Sequence, residues 1–227
     1  MRRERGRGES GTMRDVAGQL RRLVLVVAAV VALTGPGLWA ARPAAAQSGV
    51  DVGAILGQVD SFWRYTFAAN GLTYTSPNVA PVYGEMTTGC GPIDPYSFGP
   101  AGYCPIDQTI YFSLAYLGED TNPAIWYVAV SHEWGHHIEK LLGYPDEPSV
   151  ASEQRTDCMA GAFIGAAVDV GLTSRSTFNW AFHFMLLIGD PPFIGRENFT
   201  HDIAAHRAQQ FDAGYTGGVA ACGIGLS

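Results

Sequence analysis

Basic side chains are scarce once the first 46 residues are passed. From Gln47 onward the chain carries six lysines and arginines against eighteen aspartates and glutamates, a formal charge of −12. Such an acidic stretch has no electrostatic footprint for nucleic acid or anionic lipid, so functions that work through a basic surface are excluded. Long apolar runs are also few. Leu23 to Ala40 is eighteen residues, marginal for a membrane span, and Gly35-Pro36-Gly37 interrupts it. No internal repeat or low-complexity block follows Gln47. Cysteine is limited to Cys90, Cys104, Cys158 and Cys222.

What stands at the front has the order of a secretory signal. A basic stretch ending at Arg21-Arg22 precedes LVLVVAAVVAL, and the small-residue run ARPAAAQ offers a cleavage site after Ala46. The alternative is an anchor retained through residues 23–40, which would make the membrane a partner. Residues 47–227 are a comfortable size for one domain around one core. In an exported chain four cysteines read as two disulfides. Of the three pairings, Cys90–Cys104 closes a Gly/Pro-rich loop and Cys158–Cys222 would tie the C-terminal tail to a helix. A loop of about 15 residues contributes roughly 3 kcal/mol through the unfolded state.

The most informative stretch is Val128 to Gly143, VAVSHEWGHHIEKLLG. Asn122 is a fitting N-cap, Pro123 suits the first helical position, and Gly143 is a stop signal. Apolar residues at Ile125, Val128, Trp134, Ile138 and Leu141 have helical spacing. On that helix His132 and His136 lie one above the other, so two imidazoles can address one ion. Zn²⁺ suits them, as it takes neutral nitrogen ligands in tetrahedral geometry. Glu133 is turned about 100° around the axis from His132, where a base can reach water at the mouth of the site. A second helical pattern begins near Glu153, and Glu153 and Asp157, four apart, share a face. Glu153 fills the place of a third ligand, and Asp157 that of the carboxylate holding a histidine's other nitrogen. Cys158 as a ligand is the competing reading, but five residues of helix turn it away from Glu153. His137 is 100° from His136 and cannot share the ion; a surface or supporting role is expected.

HEWGHHIEKLLG followed by EQRTDCMAG resembles the bacterial neutral zinc metallopeptidase family, with a ligand logic similar to that of gluzincins. The likeness extends to TGCG, GYCPIDQTIYF, IGD, FTHDIAAHRAQQFDAGY and Cys222, and so covers Gly84 to Cys222. Two positions depart from the family pattern: Pro191 replaces an aspartate, and Asp202-Ile203 replaces a Gly-Ser/Thr pair. The resemblance implies an α+β, zincin-like fold, mostly helical, with a small N-terminal sheet and an active-site helix pair. It implies a zinc-dependent peptidase acting on polypeptide, with Glu133 as general base and zinc lowering the pKa of its bound water. A catalytically silent zinc-stabilised binding protein or envelope accessory protein is the alternative. The resemblance also points to His201 as the donor to the oxyanion, ahead of Tyr144, and to Thr109–Phe112 as a sheet edge receiving substrate. An ordinary internal strand is the other reading of Thr109–Phe112.

Elsewhere, Val52 to Ala69 reads as a helix with Ile55, Val59, Phe62 and Tyr65 or Thr66 inward, ended by Gly71. Leu72–Thr75, Val79–Tyr83 and Gln108–Leu114 have strand character, and Ser76-Pro77-Asn78 and Gly91-Pro92 read as turns. Thr173 or Ser174 caps a helix with Phe178, Ala181, Phe182, Met185 and Leu186 as its core face and His183 as a packed or hydrogen-bonded histidine, not a ligand. Asp190-Pro191-Pro192 reads as a turn, Asp202 to Ala213 as a last helix, and the exit from Gly214 as loop.

Overall fold

The structure is a computed structural model, which describes residues 50–96, 99–117, 122–146, 149–190 and 201–227. The signal-like segment and Pro191 lie outside the described residues. The architecture is α+β. Helix α1 (Val52–Ala69) leads into five short strands: β1 (Asn78–Val82), β2 (Met86–Thr88), β3 (Gly91–Ile93), β4 (Ala101–Cys104) and β5 (Thr109–Ser113). Helices α2 (Leu114–Leu117), α3 (Pro123–Leu141), α4 (Val150–Asp169), α5 (Arg175–Met185) and α6 (Ala204–Gly217) follow, and a 3₁₀ turn (Val219–Cys222) precedes the C-terminus.

Local chemistry sets the helix starts. Asp51 caps α1 by accepting from Ala54 N at 2.9 Å, Asn122 caps α3 through Ala124 N at 2.9 Å, and Ser149 caps α4 through Ser152 N at 3.1 Å. Gly143 and Gly171 take positive φ just past α3 and α4, a conformation that a Cβ would strain. The inward stripe of α1 is Ile55, Val59, Trp63, Thr66 and Phe67, while Tyr65 is 76% exposed and Phe62 only half-buried. The large rings of Trp63 and Phe67 set the helix's rotation, against the face expected from the sequence.

Strand β5 is the centre of a three-stranded sheet, parallel to β1 on one side and antiparallel to β4 on the other. It is therefore internal, and the expectation that Thr109–Phe112 forms an edge is corrected: all five β5 residues are buried. The edge is β4. No strand forms over 72–75, because its groups are taken by helices: Tyr74 Oη donates to Asp60 on α1, and Thr75 O accepts from His137 on α3. Gly91-Pro92 belongs to β3, and the hairpin turns at Gly89-Cys90 instead.

The core lies between the sheet and the helices, around Trp63, Phe67, Ile110, Ile138, Phe163 and Phe211. Helix α5 contributes Phe178, Ala181 and Met185, whereas Leu186 and His183 are exposed. His183 is thus not the packed histidine expected, since its position on the helix falls outside the buried stripe. Cys90–Cys104 and Cys158–Cys222 are disulfides, the bonds of an oxidising compartment. The second draws the tail against α4, and Val219, Ile224 and Leu226 are buried where loop was expected. Asn70 holds Ser227 O at 3.1 Å. Among the described residues no helix is long and apolar enough to cross a membrane.

Helices α4 and α6 meet backbone to backbone. A Cβ on Gly161 would overlap Phe211 O, and one on Gly214 would overlap Cys158 O. Side chains cannot relax away from such a contact. Gly214→Ala should destabilise the fold by about 1–3 kcal/mol or more, read as a lowered midpoint of urea unfolding. Gly143→Ala, in open space, should cost less.

Candidate metal centre

Two helices build the site. Along α3, His132 is buried and His136 half-buried, and their rings stand 5.0 Å apart, nearly perpendicular. From α4, which packs across α3, Glu153 projects between them. Close approach needs little bulk at the crossing, and Gly135 supplies it: a Cβ there would press on Thr156 of α4. Glu153 Oε2 lies 3.2 Å from His132 Nε2, and Oε1 lies 3.4 Å from His136 Nε2. One ligand atom from each of the three residues falls within 4.8 Å of the other two.

Behind each histidine stands a carboxylate held by an arginine. His132 Nδ1 donates to Asp157 Oδ1 at 2.9 Å, and Arg207 of α6 donates to both oxygens of Asp157 at 2.8 Å. Asp157 thus accepts from three donors, and Nδ1 of His132 carries the hydrogen. Its Nε2 is left with a lone pair pointing at a carboxylate. His136 is supported less directly. Its Nδ1 lies 3.3 Å from Ser152 Oγ, Ser152 Oγ donates to buried Glu139, and Glu139 accepts from Arg155 at 2.5 Å.

This donor set fits a cation. A lone pair on Nε2 and one on Glu153 Oε2, at 3.2 Å, repel unless something positive lies between them. Glu153 Oε2 is also buried and accepts no hydrogen bond among the described residues. Protons answer the same field. Burial disfavours the His132 imidazolium, but the Glu153 carboxylate and the Asp157 bond outweigh it, pushing the ring up to about 10. His136 is pushed up to about 9, against its burial, by Glu139 and Glu153. Despite its own burial, Glu153 is held far below the carboxylate range by the two histidines. Two imidazoles and a carboxylate are ligands that Zn²⁺ accepts, with one position left for water.

A cleft opens on this cluster from both sides. One half, of about 430 Å³, is lined by Tyr103, Lys140, Asp146 and Ser152; the other, of about 480 Å³, by Val128, Ala129, Phe184 and Ile188. His132, Glu133, His201 and Ala101 line both halves. Glu133 is half-buried there, beside the ligands and outside their set. His201 is set in place by its neighbours. Its N–H donates to Asp190 at 2.7 Å, and the next residue, Asp202, sits at φ 79°. Aspartate tolerates that left-handed conformation when its side chain bonds locally. Here Asp202 accepts from Ile203 N at 2.7 Å and from Gln154 of α4 at 2.6 Å. The positive φ also explains why α6 begins at Ala204 and not at Asp202.

Tyr144 lines neither half; Arg155 stacks 4.3 Å over its ring. His137 is not on the surface but fully buried, joining Tyr103 Oη of β4 to Thr75 O at 2.9 and 2.8 Å. Cys158 is consumed by its disulfide and offers no ligand. Three residues were missed. Glu139, Ser152 and Arg207 support the ligands, and only Glu139, three positions past His136 on one face, had a spacing signal.

Residues 39–173 match the model of the family described as Putative neutral zinc metallopeptidase, and the chain belongs to that family. The matched range contains His132, Glu133, His136, Glu153 and Asp157 and ends before His201 and Arg207. The uncharacterized protein YpfJ of Escherichia coli (strain K12) is 29% identical over 193 residues, 72% of this chain and 66% of that protein. The uncharacterized protein Rv2575 of Mycobacterium tuberculosis (strain H37Rv) is 29% identical over 194 residues, 70% of this chain and 64% of that protein. The chain thus spans just under two thirds of the length of these curated relatives. No solved structure matches it.

Two measurements check the supports. Glu139→Gln should weaken Zn²⁺ binding about 10–100-fold, as other losses of a ligand's partner do, in a competition titration with a chromophoric chelator. Burial raises the Glu139 pKa, but His136, Ser152 and Arg155 outweigh it and hold the group below its ordinary 4.5. A depressed carboxylate stabilises the fold above its unfolded pKa and loses that contribution as pH falls through the folded value. Acid unfolding below about pH 4.5 should therefore be flatter in Glu139→Gln than in the parent.

Proposed function

We propose that the chain is a zinc-dependent peptidase, exported from the cytoplasm, that hydrolyses peptide bonds in polypeptide substrates. The observation carrying this is the cluster of His132, His136 and Glu153 donor atoms, open to solvent through a two-sided cleft that Glu133 also lines. His132, His136 and Glu153 hold the ion. When bound, zinc supplies an acidified water and polarises the scissile carbonyl as a Lewis acid.

Glu133 takes one proton from the attacking water as the carbon–oxygen bond forms. It then delivers that proton to the amide nitrogen as the carbon–nitrogen bond breaks. His201, which lines both halves of the cleft, donates a hydrogen bond to the carbonyl oxygen as negative charge develops. Asp157 and Arg207 keep His132 in the tautomer whose Nε2 faces the ion. Substrate main chain is held by β4. Ser113 N donates to Pro100 O at 3.0 Å, so by antiparallel alternation Gly102 and Cys104 also bond inward to β5. Ala101 and Tyr103 then turn their N–H and C=O groups to the open edge, and both residues line the cleft.

The two disulfides and the acidic surface support work outside the cytoplasm without a nucleic-acid partner. Glu133→Gln should retain one zinc per chain by atomic absorption and lose turnover of an unfolded polypeptide by at least about 100-fold. A variant that holds zinc and cuts as fast as the parent would show that the base lies elsewhere. In the parent, metal uptake must displace protons from imidazoles raised to about 10 and about 9. Calorimetric titration of the metal-free protein at pH 7 in buffers of different ionisation enthalpy should therefore register proton release.

A further inference from the structure

Fully buried on α3, His137 takes no part in the hydrolysis described above. With Trp134, three positions before it, it points about 100–160° around the helix axis from the two imidazole ligands. That side of α3 is hydrogen-bonded to its surroundings. Trp134 Nε1 donates to Tyr74 Oη at 2.8 Å, and Tyr74 Oη donates to Asp60 of α1 at 2.9 Å. His137 Nε2 lies 2.8 Å from Thr75 O, and its Nδ1 lies 2.9 Å from Tyr103 Oη of β4. A carbonyl can only accept, so Nε2 carries the hydrogen, and Nδ1 of the neutral ring accepts from the Tyr103 hydroxyl. The two rings meet edge to face with centroids 5.5 Å apart.

The consequence falls on β4. This strand pairs with β5 on one side and has an open edge on the other. Its end is tied to the β2–β3 hairpin by Cys90–Cys104, and Tyr103 ties it to α3. Tyr103 is half-buried and lines the cleft, with its hydroxyl turned away to His137. The strand beside the cleft and the helix carrying His132 and His136 are thus joined by a side-chain bond to the residue next to a ligand. With the bond made, the main chain of Ala101 and Tyr103 stands at a set distance from the ligands. Without it, β4 keeps its ladder to β5, but packing alone sets its distance from α3. A binding chain must then order the strand, at a cost in affinity.

Building on the peptidase reading, we propose that His137 is a positioning residue: by accepting from Tyr103 it fixes β4 against the ligand helix and so governs how tightly an extended polypeptide binds. His137 lines neither half of the cleft, so it acts through Tyr103 and not by contact with substrate. Its two bonds can be separated by substitution. His137→Asn places an amide oxygen near the Nδ1 position, where it still accepts from Tyr103, and gives up the bond to Thr75 O. His137→Gln carries an amide N–H out to the Nε2 position, where it still donates to Thr75 O, and leaves the Tyr103 hydroxyl without its acceptor. A role confined to stability treats the two variants alike. A role through Tyr103 separates them.

The test uses the zinc-loaded full-length chain and an unstructured, internally quenched peptide, assayed below the melting midpoint of every variant. Tyr103→Phe and His137→Gln should each raise KM by about 3–10-fold, the loss of one neutral hydrogen bond, with kcat and zinc content unchanged. His137→Asn should stay within about twofold of the parent KM, even where its melting midpoint falls. Tyr103→Phe and His137→Gln combined should be no worse than either alone, because both remove the same bond. An unmoved KM or lost zinc in Tyr103→Phe, a KM in His137→Asn as high as in His137→Gln, or additive losses in the double variant would overturn the proposal and leave the peptidase reading intact. Should a His137 variant fail to fold, the KM of Tyr103→Phe decides. The same peptide, fluorescently labelled, is also titrated into Glu133→Gln protein with and without Tyr103→Phe. If the parent cleaves nothing and Tyr103→Phe still weakens this binding, the positioning role stands and the peptidase reading falls. No cleavage and no change in binding sinks both.

Discussion

A buried carboxylate facing two imidazole nitrogens is the constraint that the rest of the molecule serves. Glu153 lies 3.2 and 3.4 Å from His132 and His136 with few other partners, an arrangement that costs free energy unless positive charge sits within it. Holding it demands that α3 and α4 stay in register, and the fold enforces this by close contact. Gly135 lets Thr156 approach, Gly161 and Gly214 bring α4 against α6, and the Cys158–Cys222 bond closes the same face. Arg207 then arrives from α6 to neutralise Asp157, so the third helix is part of the electrostatics as well as the packing.

The supports of the two histidines are unequal. His132 has a direct carboxylate whose charge is met by a bidentate arginine, all of it buried. His136 has Ser152 Oγ at 3.3 Å from its Nδ1 and Glu139 Oε2 further off at 3.6 Å, is half-buried, and faces the half of the cleft of about 430 Å³. A direct, buried bond fixes ring orientation more tightly than one relayed through a rotatable hydroxyl. The His132 side of the cluster is accordingly the rigid one.

Much of this was legible in the sequence, and for definable reasons. The four-residue spacing of His132 and His136 and of Glu153 and Asp157 is a helical repeat, and a repeat is local information. The caps at Asn122 and Ser174 and the stop at Gly143 are local too. What was misread is tertiary. That β5 is central, with β1 and β4 at the edges, depends on which strands pair, and three- to five-residue strands carry no pairing signal. Tyr65 and Thr66 both fit the periodicity, and it is Thr66 that turns inward, because the larger Trp63 and Phe67 decide the rotation. His137, given a surface or supporting role by its 100° turn from His136, has both ring nitrogens satisfied inside by Tyr103 and Thr75 O. GYTGGVAACGIGLS reads as a loop pinned only if Cys222 is paired, and it is the bond to Cys158, with the Asn70 contact, that makes its few apolar residues worth burying.

Strand β4 carries a consequence for what this cleft can admit. Proline stands at each end of it, Pro100 before Ala101 and Pro105 after Cys104, and neither offers an N–H. The exposed ladder is therefore about two residues long and cannot be extended. A preformed sheet from another molecule has too little to zip onto, which protects this edge from the self-association that exposed strands invite. Two exposed residues leave room beside β4 for no more than a single short strand.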